Sequence, residues 1–266
     1  MQSAVDDSFH TGDLSVLGRV STASNLTLVC ELPTVGDAAA QRVVYKPVRG
    51  ERPLWDFPDG TLAGREVASY LVSQALGWGL IPETVLRDGP YGPGMVQRWI
   101  EITEPDPAHP DLVDLVPAGA VPPDFLEVLQ AVDGSGTPVS LVHADDPRLR
   151  RMAVLDVLIN NADRKGGHAL DGVDGQVYGV DHGICLHSEP KLRTVLWGWA
   201  GTPVPADLLG DIERFAAALP GATADALAAH ITDAEIDALA GRAKTLLEQP
   251  VLPFPNSARP IPWPPF

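Results

Sequence analysis

Asp163 lies in the polar run Asn160-Asn161-Ala162-Asp163-Arg164-Lys165-Gly166-Gly167-His168, and Asp181 follows the strand-like run Val177-Tyr178-Gly179-Val180 just before His182-Gly183. Phosphoryl transfer needs one carboxylate to accept or orient the attacking hydroxyl and a second to hold Mg²⁺ against the phosphates. Asp163 fits the first role and Asp181 the second. In the pattern H-R-D-x-x-x-x-N the second metal ligand falls five positions after the catalytic Asp. Here that position is His168, which reads as a metal ligand, a hydrogen-bond partner of Asp163 or only a loop residue. Imidazole is a softer ligand than a carboxamide oxygen, so a His168 site holds Mn²⁺ relatively better than Mg²⁺. Lys165, two positions after Asp163, either neutralises charge on the transferring phosphate or is an ordinary loop lysine beside Gly166-Gly167.

Upstream, Lys46 closes a strand candidate and Glu66 stands about one turn into the helix that follows. Such a lysine reaches the α- and β-phosphates of ATP while the glutamate fixes its ammonium group. Either residue alone is unremarkable. Their order, Lys46 then Glu66 then Asp163 then Asp181, carries the argument. Ser21, Ser24 and Asn25 occupy the hairpin tip where a phosphate loop would stand, and hydroxyls with backbone N–H groups can supply donors there without glycine. An ordinary polar hairpin is the competing account of that tip. Neither G-x-x-x-x-G-K-[ST] nor G-x-G-x-x-G after a strand occurs, so P-loop and Rossmann readings lose their main support. Gln97 and Trp99 end the last strand of the first half, where a hinge reads adenine through its backbone. An interdomain strand would look the same.

His182, Cys185 and His187 match no closed structural zinc spacing, and Cys185 reads as a small core residue. Arg193, Trp197 and Trp199 occupy the place of an activation segment, where they either meet substrate or anchor the loop by packing.

The elements that must position these groups read as an antiparallel β lobe followed by helices. Leu14 to Val20 and Leu26 to Leu32 form a hairpin, and Arg42 to Lys46 is a third strand. Thr61 caps a helix with Leu62, Val67, Tyr70, Leu71 and Leu76 at helical spacing. Val85 to Arg87 and Met95 to Ile100 are strands around the turn Asp88 to Gly92. Glu104 to Pro123, rich in proline and acidic residues, reads as a connector or surface insertion. Helices are expected at Phe125 to Val132, Asp146 to Asn160, Asp207 to Leu219, Thr223 to His230 and Asp233 to Leu247, the last with an Asp cap and Glu235 in its first turn. The tail from Pro250 to Phe266 is an extended, proline-rich strap. The expected fold is α+β and bilobal, with residues 1–101 as the small lobe and 102–266 as the larger, mostly helical one.

The net charge of -16 over 266 residues opposes a sequence-independent grip on nucleic acid or anionic lipid. Two cysteines, Cys30 and Cys185, are too few for a disulfide framework, and Met1 to Asp7 shows no basic or apolar leader pattern. No apolar run approaches membrane-spanning length. A cytoplasmic protein with no membrane insertion is expected.

Together Val44-Tyr45-Lys46-Pro47, Gly64-Arg65-Glu66, Asn161 to His168 and Val180-Asp181-His182-Gly183 resemble the atypical kinases that include phosphatidylinositol 3-/4-kinases, actin-fragmin kinase and HipA-type kinases. The match spans about Leu14 to Gly201 and is best with an actinobacterial phosphatidylinositol 3-/4-kinase-like branch. The resemblance implies a bilobal kinase fold with ATP and Mg²⁺ or Mn²⁺ between the lobes, Lys46 on the phosphates, Asp163 as catalytic acid/base and Asp181 as metal ligand. The chain differs in its glycine-free loop, in His168 for Asn and in a shorter C-terminal lobe. The expected activity is transfer of the γ-phosphoryl group to a hydroxyl of a protein, itself included, or of a small polar molecule. The rival readings are a nucleotide-binding pseudokinase module and a lipid kinase, the latter opposed by the acidic charge and the missing basic patch.

Overall fold

The computed structural model describes residues 8–21, 23–33 and 40–266. The start Met1 to Asp7 and Thr22 in the hairpin tip lie outside the described residues. A one-turn helix, α1 (Ser8–Thr11), leads into β1 (Ser15–Arg19), β2 (Leu28–Leu32) and β3 (Gln41–Pro47). Helix α2 (Leu62–Ala75) separates these from β4 (Thr84–Gly89) and β5 (Gly92–Arg98). The five strands form one antiparallel sheet in the order β1-β2-β3-β5-β4. Buried residues recur at every second position of β2 and β3 because one face, with Cys30, Leu32, Val43 and Tyr45, packs with Phe9, Leu14 and Val96.

The mixed α+β architecture is as expected, but details of the second half differ. Phe125–Val132 is a strand, β7, not a helix. With β6 (Val113–Pro117) and β8 (Pro138–Ala144) it forms a three-stranded antiparallel sheet in the order β6-β8-β7. Part of the presumed connector Glu104 to Pro123 is therefore the edge strand β6. Phe125, Leu126, Leu129 and Val132 fit a helical period, and the bulge between Glu127 and Leu129 is what blurs the strand's own alternation. The turn at Asp133 decides the matter. Its Oδ1 accepts from the N–H groups of Ser135 and Thr137 at 2.8 and 2.9 Å, closing a hairpin.

Helix α3 (Pro147–Leu158) starts as expected, with Asp146 accepting from the Arg148 N–H at 2.7 Å and Pro147 at the first turn. A short hairpin of β9 (Ala169–Asp171) and β10 (Val177–Gly179) follows. Helices α4 (Ala206–Ala218), α5 (Ala224–Ala228) and α6 (Asp233–Glu248) complete the second half, with a kink at Pro220 and Gly221 between α4 and α5. The cap of α6 is Thr232, not Asp233. Thr232 and Glu235 form a reciprocal capping box, so the expected Glu235 is there while the cap lies one residue earlier. The main core joins α2, α3, α4 and α6 through Val72, Leu155, Leu158, Ile212, Phe215 and Leu239. Residues 250–266 hold no helix and run as a strap.

Candidate functional site

Two anchors fix α2 against this framework. Its first turn would leave backbone donors unpaired. The Glu51 carboxylate accepts from Leu62 and Ala63 at 3.0 and 2.8 Å, and Thr61 Oγ1 accepts from Gly64 at 2.9 Å. At the next turn Arg65 is buried against Glu235 of α6 at 2.6 Å and donates to the Cys185 and Asp59 carbonyls, both at 2.9 Å. Glu66, one residue on, is thereby aimed back at the sheet.

The structure brings Lys46, Glu66, Asp181 and His168 together. Lys46 Nζ lies 2.6 Å from Glu66 Oε1 and 2.5 Å from Asp181 Oδ1. Glu66 Oε2 accepts from the His182 N–H at 3.0 Å, so one carboxylate joins the sheet lysine to the loop after β10. Burial works to lower the Lys46 pKa, but the Asp181 and Glu66 carboxylates outweigh it and hold the ammonium above its usual range. The Lys46 charge in turn holds Asp181 far below the usual carboxylate range. Asp181 adopts φ 63°, a left-handed conformation that a side chain disfavours. Its side chain remains half-exposed, facing outward from this knot.

Asp163 sits on a loop organised by two groups that the sequence reading left aside. Asp156, inside the apolar run of α3, is fully buried and accepts from Arg164 Nε and Nη2 and from Asn161 Nδ2 at 2.8 to 3.1 Å. Thr194 Oγ1 donates to the same carboxylate at 3.2 Å. Arg164, also fully buried, reaches on to the His168 and Val180 carbonyls at 3.2 and 3.3 Å and to His182 Nε2 at 2.7 Å. Arginine only donates, so His182 Nε2 accepts and its ring is neutral. Burial pushes its pKa down in agreement. Arg164 therefore links the Asp163 loop to the segment that carries Asp181. The only sequence signal for Asp156 is a lone carboxylate among Met152, Val154, Leu155, Leu158 and Ile159.

Asn161 Oδ1 accepts from the Asp163 N–H at 2.9 Å and sets the turn. Burial pushes the Asp163 carboxyl up to about 6, against the pull of Lys165, whose Nζ lies 3.8 Å away. A carboxyl tuned to that value is suited to proton transfer near neutral pH. Burial pushes His168 down to about 4, so its imidazole is neutral at physiological pH. Its Nε2 is 3.3 Å from Asp181 Oδ2, and its Nδ1 is buried without a partner. No group of three or more His, Cys, Asp and Glu converges to form a self-contained metal cage among the described residues. Asp181 and His168 nevertheless fit a divalent cation completed by phosphate oxygens and water, which is how Mg²⁺ sites with few protein ligands are built.

The nucleotide-side candidates are placed less uniformly. Ser21 and Ser24 are exposed at the hairpin tip. Asn25 instead folds onto the chain after β3, its Oδ1 accepting from the Arg52 N–H at 2.9 Å, while Leu26 donates to Gly50 at 3.2 Å. Gln97 is buried, with Nε2 donating to Thr84 Oγ1 at 2.9 Å. Because β3 and β4 flank β5 on both sides, the backbone of Met95 to Arg98 is spent in the sheet. The expected adenine-reading strand therefore narrows to residues beyond Arg98. Trp99 is part-exposed, its N–H donating to the Arg42 carbonyl at 3.2 Å with the Arg42 guanidinium 5.9 Å from the ring.

Of the second-half candidates, Trp199 is a packing residue, its ring 4.2 Å from the His143 ring at a 41° tilt, with Nε1 donating to Asp145 at 2.8 Å. Trp197 Nε1 donates to Pro260 at 2.9 Å, which ties down the strap. Cys185 is buried as expected, and His187 packs edge-on against Phe57. The strap's far end is the other feature missed. The Gly166 N–H donates to the Pro265 carbonyl at 2.8 Å, and the Phe266 ring covers the Gly166 Cα so closely that a Cβ there would meet it at 2.3 Å.

No family model matches this sequence. A crystal structure of the Helicobacter pylori proinflammatory kinase CtkA aligns with a TM-score of 0.45 at 12% identity, covering 91% of this chain and 94% of that one. Protein Rv2133c of Mycobacterium tuberculosis is 61% identical over 260 residues, 96% of this chain and 93% of that protein. On that identity and coverage, the chain belongs to the family of protein Rv2133c.

Proposed function

We propose that the chain is an ATP-dependent phosphotransferase of the atypical kinase group, akin to phosphatidylinositol 3-/4-kinase-like proteins. In this reading residues 1–101 form the small lobe, residues 102–266 the larger one, and the γ-phosphoryl group passes to a hydroxyl. The observation that carries it is the Lys46 ammonium held between Glu66 and Asp181, with the Asp163 loop tied through Arg164 to the segment bearing Asp181. A lysine fixed in this way is a rigid cation for ATP phosphates. Ser21, Ser24 and the backbone near Trp99 lie on the nucleotide side.

Asp181 and His168 would hold Mg²⁺ or Mn²⁺, and the cation would supply charge neutralisation of the phosphates when bound. Asp163 orients the acceptor hydroxyl and takes its proton, while Lys165 balances charge beside it. The 2.7 Å contact from the Arg164 guanidinium to the neutral His182 ring holds this loop and the Asp181 segment in register. No helix among the described residues is long and apolar enough to cross a membrane.

The test is incubation of purified protein with γ-labelled ATP and Mn²⁺ or Mg²⁺, alongside calorimetry of nucleotide binding. Wild type should bind ATP with metal and transfer label to itself, to a lysate component or to a small hydroxyl compound. Asp163→Ala should keep ATP affinity and lose transfer by roughly 10²-fold or more. Absence of ATP binding with either metal would overturn the proposal.

A further inference from the structure

Arg164 and Thr194 form a parallel bridge, and both turn their side chains inward to Asp156. Around that bridge Arg193 donates its N–H to the Asn161 carbonyl at 2.9 Å, while the Arg193 carbonyl accepts from Arg164 at 3.1 Å. Side chains alternate along extended backbone. Asp163 and Lys165, on either side of Arg164, and Arg193, just before Thr194, therefore turn away from Asp156, and the Lys165 and Arg193 charges both act on the Asp163 carboxyl. The 3.8 Å approach of Lys165 to Asp163 agrees with that placement.

Arg193 is part-buried, yet its guanidinium makes no hydrogen bond or ion pair among the described residues. A cation held half out of water without a partner is unusual in a chain of net charge -16, where acidic side chains outnumber basic ones 35 to 19. Among the described residues Lys165 makes one ion pair, with Asp163, which is itself partly buried. Lys165 and Arg193 both act on the Asp163 carboxyl, with Asp181 acting in the opposite sense, and the Arg193 guanidinium does so without a hydrogen bond or ion pair of its own among the described residues. Lys46, Asp181 and His168, the groups on the nucleotide side, are joined to one another and not to Arg193.

We propose that Arg193, with Lys165, forms a recognition site for an anionic group, phosphate or carboxylate, carried by the molecule that is phosphorylated. Arg193 is a specificity residue in this assignment. It binds the acceptor's charge and leaves the hydroxyl to Asp163. A guanidinium suits the task because its planar fork pairs with either oxyanion through two parallel hydrogen bonds. The assignment rests on the phosphotransferase reading for the word acceptor, but the anion site itself does not.

The experiment fills the nucleotide side first. Protein saturated with a non-hydrolysable ATP analogue and Mn²⁺ is titrated with inorganic phosphate and, separately, with succinate, with tryptophan fluorescence as the readout, since Trp197 lies close along the chain. Saturable binding of at least one anion by wild type is expected, weakened about 10-fold or more in Arg193→Gln and less in Arg193→Lys. Arg214→Gln, at an exposed position on α4, should bind like wild type. Preference for phosphate or for succinate identifies which oxyanion the acceptor bears. Equal binding in wild type and Arg193→Gln, or no saturable binding of either anion, overturns the proposal. If the nucleotide analogue fails to bind while Arg193-dependent anion binding persists, the anion site stands and the phosphotransferase reading falls.

Discussion

Lys46 Nζ and Asp181 Oδ1 lie 2.5 Å apart although 135 residues separate them in the chain. The contact spans the first sheet and the loop after β10, so it registers the two halves of the candidate site against each other. Glu66 completes it from α2. The arrangement stores a conflict, because burial pushes the Glu66 carboxyl up while the Lys46 ammonium pulls it down.

That conflict gives the first expected outcome. Lys46→Met leaves the buried Glu66 carboxylate without its counter-charge, and removing one member of a buried pair costs about 3 to 5 kcal/mol. Urea unfolding at pH 7 should show a loss of that order. The deficit should shrink as pH falls, because the orphaned carboxyl can then take up a proton. Lys46→Met combined with Glu66→Gln should recover about 1 kcal/mol or more relative to simple addition of the two changes. Additive losses would mean that the two residues do not interact in solution.

Asp163 carries a second conflict, between stability and chemistry. Its folded pKa of about 6 exceeds the ordinary carboxyl value, so the folded state binds the proton more tightly than the unfolded chain does. The sign follows: stability from this group is fully present at low pH and is lost as pH rises from about 4 through 6. Asp163→Asn should therefore raise unfolding stability at pH 7 by roughly 1 to 3 kcal/mol and change nothing below about pH 4. The same titration predicts that phosphoryl transfer by wild type falls as pH drops below about 6. Equal stability of wild type and Asp163→Asn at pH 7 would show that the carboxyl is not desolvated.

At His168 the expectation concerns the metal. A neutral imidazole whose Nε2 faces Asp181 is ready to ligate without first losing a proton, since its pKa is only about 4. His168→Asn replaces nitrogen with a harder oxygen ligand and should shift the activity ratio from Mn²⁺ toward Mg²⁺. An unchanged ratio would place the cation elsewhere. Asp181→Asn should abolish metal-dependent nucleotide binding under either outcome.

How much of this was legible beforehand depended on whether a residue's role is local or distant. Lys46, Glu66, Asp163 and Asp181 could be read because strand, helix and loop patterns fix their order, and order along a chain survives in the sequence. Helices α3 and α6 were readable from periodicity, α3 also from its Asp146 cap, whereas the α6 cap lies one residue before the Asp expected there. β7 was not, since Phe125 to Val132 fits a helical period, though Asp133-Gly134-Ser135-Gly136 marked a hairpin that outweighs it. Asp156 and the partners of Arg164 were hidden for another reason. A buried ion pair is defined by what surrounds it in space, and Asp156 in sequence is only a carboxylate in an apolar run. The strap on Gly166 is hidden in the same way, as a contact between segments one hundred residues apart.

Gly166 supplies the last expectation. Its N–H is bonded to Pro265 and its Cα lies under the Phe266 ring, so this turn between Lys165 and His168 takes its shape partly from the strap. A methyl group added at Gly166 would sit 2.3 Å from the Phe266 ring, well inside contact distance, and the ring must leave. Gly166→Ala should loosen the strap, visible as faster hydrogen exchange of the Gly166-position amide that now bonds to Pro265. Phe266→Ala makes room for that methyl group. The double variant Gly166→Ala with Phe266→Ala should therefore lose less stability than the two single variants added together, by about 1 kcal/mol or more. Strict additivity, with no change in exchange at this amide in either single variant, would show that Phe266 does not rest on the loop and that Lys165 and His168 are positioned without it.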